Sequence, residues 1–223
     1  MKKTEQVIWA VFPTAVYFIV QNMAVMLAKA LWGPGNDRVL SAVLSQVLCL
    51  AVFIWWSLKE KRQGLLTDAG RPPAESRCAS LRPAPCVLAF FGGALLSYGF
   101  GKMMTVLGFY NLFSNETQES LLKLPFAVQA VGLGLAVPVA EEIAYRQLCF
   151  GRFRHFLPFW PAAAAAGALF AAAHGNMIQM TYAFPMSLIL AWCLEKGGSM
   201  VYPVLLHMGA NLITILLSQS FTA

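Results

Sequence analysis

Charge is scarce in this sequence. Asp, Glu, Lys and Arg make up 12% of its 223 residues, against 58% hydrophobic ones. A soluble domain of that size carries roughly twice the charged fraction, so a water-facing globule is excluded. Paired cysteines are missing too. The five present (Cys49, Cys78, Cys86, Cys149, Cys193) are odd in number and scattered, with no Cys-x-x-Cys. They offer neither a disulfide framework nor a thiolate metal site, which leaves ordinary apolar packing. No internal repeat is evident, and that weakens a reading as a repeat-built transporter. Acidic residues are outnumbered 10 to 16, for a formal charge of +6. The excess does not indicate a nucleic-acid ligand, because the basic residues gather in particular loops between apolar stretches.

Those stretches are what the sequence has in abundance. Five or more approach or exceed the roughly 20 residues needed to cross a bilayer as helix. The first runs over 7–31, the second over 39–58 and the third over 84–107. The fourth runs from 125 to about 150. The fifth, 161–175, is short and rich in small residues that let helices approach closely. The sixth covers about 178–195, with Pro185 as a kink, and the seventh about 200–219. Ala28-Lys29-Ala30 has the look of a signal-peptidase site, but the apolar region is too long for a signal peptide, so an uncleaved span is expected. The expected fold is all-α: a polytopic transmembrane helix bundle of about seven spans. It forms a single membrane domain over 1–223, with three N-terminal spans in 1–107 and a four-span core in 125–219.

The loops give the orientation. Basic residues occupy the N-terminus (Lys2, Lys3), the 59–83 loop (Lys59, Lys61, Arg62, Arg71, Arg77, Arg82), the loop after the fourth span (Arg152, Arg154) and the turn before the seventh (Lys196). Loops on the other side hold Arg38 and Lys123. Seven spans with a cytoplasmic N-terminus put every basic loop inside. With Pro72, Pro73, Pro83 and Pro85, the 59–83 loop reads as a flexible connector. On the outer side, 114–124 reads as a short interfacial helix. Asn115-Glu116-Thr117 within it matches a glycosylation sequon, a pattern too frequent by chance to carry weight.

Polar residues inside the apolar runs need partners or a task. The fourth span carries Glu141, Glu142 and Arg146. The fifth places Phe170 and His174 four apart, and the seventh places His207 and Asn211 four apart, each pair on one helix face. At about 1.5 Å rise per residue, Glu141 lies about 14 Å from the inner end of its span, His174 about 20 Å from the start of its own, and His207 and Asn211 about 10 and 16 Å into theirs. An acid, two imidazoles and an amide at similar depth fit a shared site. α-Helical geometry also divides the glutamates. Glu142 and Arg146 are four apart and can pair, whereas Glu141 points about 140° away from Arg146 and is freer to face a cavity. One intramembrane His or Asn is more often a plain interhelical hydrogen bond; the case rests on three such features together.

Glu141-Glu142-x-x-x-Arg146, Phe170-x-x-x-His174 and His207-x-x-x-Asn211, in that order, resemble the three motifs of the CAAX-protease and bacteriocin-processing family. These are intramembrane glutamic endopeptidases related to the type II CAAX prenyl endopeptidase. The resemblance covers about residues 125–217 and includes the "EKGGSMVYPVLLHMGANL" lead-in to the last motif. It implies hydrolysis of a peptide bond in a membrane-associated peptide or protein, lipidated or bacteriocin- or pheromone-like. Glu141 and His174 would activate water, and His207 and Asn211 would hold the oxyanion. Glu142, Arg146 and Phe170 would support them, with no cofactor and no metal. The expected location is a bacterial cell membrane, as an integral multi-pass protein, and the inner-half depth of the polar residues points to a site reached from the cytoplasm.

Three other readings stay open. Glu141, His174 and His207 supply the donor types of a two-His, one-carboxylate zinc site, although no His-Glu-x-x-His is present. A proton-coupled transporter also uses intramembrane Glu and His. A non-proteolytic scaffold or bacteriocin-immunity protein of the same fold would keep the motifs without the chemistry.

Overall fold

Apolar runs in a bilayer must satisfy every backbone group internally, which leaves helices as the economical solution. The computed structural model follows that rule. It describes residues 2–32, 37–65, 82–114 and 116–220, and among these there is no strand. The connector residues 66–81, with Arg71, Pro72, Pro73, Arg77 and Cys78, lie outside the described residues, as do Asn115 of the sequon and the side chain of Arg38.

The helices are α1 (Lys3–Trp32), α2 (Asp37–Arg62), α3 (Pro83–Val106), two short helices α4 (Phe109–Leu112) and α5 (Glu116–Leu121), the long α6 (Phe126–Arg154), α7 (Phe159–Ala173), α8 (Met177–Gly197) and α9 (Val201–Ser220). Six of them are long and apolar enough to cross a membrane. The stretch expected to be a fifth span, α7, has 15 residues, which gives about 22 Å of helix against an apolar core of about 30 Å.

α6 is the centre of the bundle and touches α1, α2, α7, α8 and α9. α1 pairs with α2, α7 with α8, and α3 lies chiefly against α9. The last of these contacts depends on two glycines. A Cβ on Gly93 would collide with the backbone carbonyl of Leu206, and one on Gly209 with that of Phe90. Without side chains there, the α3 and α9 backbones meet directly. Apolar packing around α6 joins Tyr17, Phe53, Ala144, Tyr145, Leu148 and Phe170 in one cluster. Cys49 and Cys149 are buried among apolar neighbours, while Cys86 and Cys193 are half-buried free thiols.

α6 departs from the expected α-helix. Gln129–Ala136 and Glu142–Phe150 are π-helical, with the α-helical Val137–Glu141 between them. In a π turn the hydrogen bond runs to the fifth residue back. The turn of about 100° per residue of an α-helix therefore does not hold over Glu142–Phe150.

One end of the bundle is tied by ion pairs. The side chain of Arg152, expected to be a loop charge, is buried, pairs with Glu60 and donates to the Trp9 carbonyl at 2.6 Å. Its guanidinium lies 4.9 Å from the Trp9 ring and 5.1 Å from the Trp56 ring, and Trp56 donates to Glu60 at 2.7 Å. Arg154 pairs with Glu195 at 3.3 Å. These contacts gather the start of α1 and the ends of α2, α6 and α8 at the end where Lys2, Lys59, Lys61 and Lys196 also lie. At the other end, Tyr110, Asn111, Phe113, Gln118 and Leu122 line a cleft with Ile178, and no motif residue is among its walls.

Candidate active site

The three polar motifs converge on the ring of Phe170. Phe170 is buried on α7. The Arg146 guanidinium stacks over it, 4.1 Å from the ring centroid. The His174 imidazole meets it at 4.8 Å, the Tyr145 ring at 5.1 Å and the His207 imidazole at 5.9 Å, each edge-on. Residues from α6, α7 and α9 thus share one aromatic platform. In sequence Phe170 was expected as the partner of His174 and a supporting residue; in the structure its ring also meets Arg146, Tyr145 and His207.

The two adjacent glutamates have different surroundings. Glu142 is fully buried, 3.2 Å from Arg146 Nε, and its Oε1 accepts from His207 Nδ1 at 2.8 Å. Glu141 is the more open, with 14% of its side chain exposed, and its Oε2 lies 3.7 Å from His207 Nε2. His207 therefore stands between the two carboxylates, one on each ring nitrogen. An ionised carboxylate only accepts, so Nδ1 must carry a proton toward Glu142. For Nε2 to donate as well, the ring must hold both protons.

His174 follows the last residue of α7. Its Nδ1 lies 2.8 Å from the Phe170 carbonyl oxygen. A carbonyl can only accept, so Nδ1 carries a proton, and in the neutral ring Nε2 keeps its lone pair. That is the tautomer a proton acceptor needs. The residue is half-buried, at a turn where Ala172, Ala173 and Gly175 are exposed, so its free nitrogen is within reach of solvent.

Asn211 is one helical turn beyond His207 on α9. Its Nδ2 donates to the Leu133 carbonyl in the first π-helical stretch at 2.9 Å. That bond uses one of its two amide hydrogens.

Tyr17 was not expected here. It projects from α1, is 4% exposed, and its hydroxyl lies 3.4 Å from Glu141 Oε1. Phe53 and Tyr145 hold its ring at 5.5 and 5.7 Å. A buried tyrosine hydroxyl seeks a polar partner, and Glu141 is the one it meets. In sequence, Tyr17 is one aromatic among several in an apolar run, with no spacing to mark it.

Among the described residues, no group of three or more His, Cys, Asp or Glu side chains stands where it could hold a metal ion. The constellation instead offers an accessible carboxylate, an imidazole with a free lone pair, a second imidazole between carboxylates, and an amide.

Residues 123–213, which hold all three motifs, match the family model described as Type II CAAX prenyl endopeptidase Rce1-like. No curated protein and no solved structure matches the chain.

Proposed function

We propose that this protein, whose residues 123–213 match the family model described as Type II CAAX prenyl endopeptidase Rce1-like, is a membrane endopeptidase and, more specifically, a glutamic-type intramembrane protease. Its substrate is a membrane-associated peptide or protein, cut near one end by activated water. The observation that carries this reading is the division between the glutamates. Glu142 is buried and committed to Arg146 and His207, whereas Glu141 is partly open and faces His207 Nε2.

In the proposed reaction, Glu141 takes a proton from water as the oxygen attacks the peptide carbonyl. His174 Nε2 accepts a hydrogen bond from the same water and orients it. The tetrahedral oxyanion is met by His207 Nε2–H, in the doubly protonated ring, and by the second amide hydrogen of Asn211. Such donors act strongly where bulk water is excluded. The proton held by Glu141 then passes to the leaving amine as the C–N bond breaks. Tyr17 keeps Oε1 occupied, which leaves Oε2 for the water.

The test is cleavage of a membrane peptide library by purified protein in detergent, with comparative peptidomics of cells to find the natural substrate. Glu141→Gln is expected to abolish cleavage with thermal stability unchanged. His174→Ala should abolish turnover in a protein that still folds and inserts. Activity should survive strong chelators; loss restored specifically by zinc would favour the metal reading. If Glu141→Gln supports every cellular phenotype of the wild type, the scaffold reading takes its place.

Orientation belongs to the same proposal. The basic end of the bundle faces the cytoplasm by the positive-inside rule, and substrate enters from that side. The shortness of α7 favours a second route. His174 lies about 22 Å along the helix from its basic-end start, beside exposed residues of the α7–α8 turn. Labelling Gly175→Cys with a membrane-impermeant thiol reagent separates the two: labelling only from the outside would move the entrance to the far face.

A further inference from the structure

We propose that Pro138 is a positioning residue for Asn211, and that it acts by withholding a hydrogen bond. The inference rests on the proteolytic reading above and deepens it.

The argument starts from the π register. At the end of the first π-helical stretch, the Val137 N–H bonds the Gly132 carbonyl, five residues back. The next donor in that register is position 138, and its acceptor is the Leu133 carbonyl. Position 138 is proline, which has no N–H. The Leu133 carbonyl is therefore left without that helical partner, in the middle of the central helix, where an unpaired polar group is costly. The Asn211 side chain fills the gap, donating through Nδ2 at 2.9 Å.

The consequence is orientation. A carboxamide is planar, so fixing one N–H fixes the direction of the second N–H and of the carbonyl oxygen. Pro138 thus selects which way the remaining donor of Asn211 points, three residues before the base it must work with. An oxyanion donor gains most from being placed before the charge forms. A proline that frees a carbonyl to hold that donor is a direct way to place it.

The test is Pro138→Ala, which supplies the missing N–H, with Pro138→Gly as a second variant restoring the same donor on a more pliant backbone. Each is expected to lower kcat on the order of tenfold or more while KM changes little. Thermal stability should hold or rise, since a helix-interior proline is removed. In an Asn211→Ala background the same substitutions should cost nothing further. Wild-type kcat in both variants would overturn the proposal, as would an equal loss of kcat with and without Asn211. A readout independent of turnover keeps the two readings apart: NMR of asparagine-labelled protein in micelles. The Asn211 side-chain amide should show one hydrogen slow to exchange in the wild type and fast in Pro138→Ala. If that change occurs while Asn211→Ala and Glu141→Gln both cleave normally, Pro138 still sets the Asn211 hydrogen bond, but its catalytic role and the Glu141 mechanism both fail. If no such change occurs, the positioning fails whatever the activity.

Discussion

At the scale of single residues, the site is built from buried charges that leave little slack. Glu142 answers to Arg146 and to His207 at once. Glu142→Gln therefore removes the counter-charge of a guanidinium that is 1% exposed. Breaking a buried pair in this way typically costs about 3–5 kcal/mol, so a large fall in thermal midpoint is expected. Loss of activity should come with it, because His207 Nδ1–H then meets a neutral amide oxygen in place of a carboxylate. Glu141→Gln should show the opposite pattern, stable and dead, and a thermal-shift and cleavage series on both variants reads the difference. Tyr17→Phe keeps the ring contacts with Phe53 and Tyr145 and removes only the hydroxyl. Its expected signature is a lower kcat with KM and thermal midpoint near wild type; a change confined to the midpoint would make Tyr17 a packing residue. The pairs Glu142–Arg146, Phe170–His174 and His207–Asn211 were legible in sequence because a helical spacing of four marks them. Tyr17 was not, since its relevance depends on how α1 lies against α6, and no local pattern records that.

At the scale of elements, two prolines do comparable work. Pro13 lies inside α1 and cannot bond the Trp9 carbonyl four residues back. Arg152 of α6 donates to that carbonyl at 2.6 Å while pairing with Glu60 of α2. A gap in one helix thus becomes an attachment point for another, and α1 is held in the register that brings Tyr17 to Glu141. Arg152→Ala should strand Glu60 and destabilise the protein by about 3–5 kcal/mol. The double change Glu60→Leu with Arg152→Met should recover most of that loss in thermal denaturation, because an apolar pair of similar volume needs no desolvation. Arg152 was legible only as a topology signal; its burial came from the partner Glu60, 92 positions away in sequence. The π register of α6 was equally hidden. Pro138 announces an irregularity, but whether the helix kinks or widens is decided by what packs around it. The contact between α3 and α9 is simpler. Gly209→Val should separate the two backbones at Phe90, and since Gly209 lies between His207 and Asn211, a fall in activity is expected alongside a lower thermal midpoint.

At the scale of the whole molecule, the length of apolar runs was sufficient to foresee an all-helical membrane bundle, because a lipid environment admits few alternatives. It was less informative about α7, where an alanine-rich stretch looked like a span and folds as 15 residues. That shortfall reaches beyond the protein itself. A helix about 8 Å shorter than the surrounding apolar layer leaves lipid tails facing a polar turn, and a bilayer answers such a mismatch by thinning. The protein should then deform the membrane around α7 and draw headgroups and water down toward His174. Reconstituted in vesicles of graded acyl-chain length, it should be most active in thin bilayers and lose turnover as they thicken, with Glu141-dependent cleavage as the measure. A rate indifferent to chain length would mean that neighbouring helices, not lipid, close over the short one. On the thinning account, the membrane itself carries water to the peptide bond.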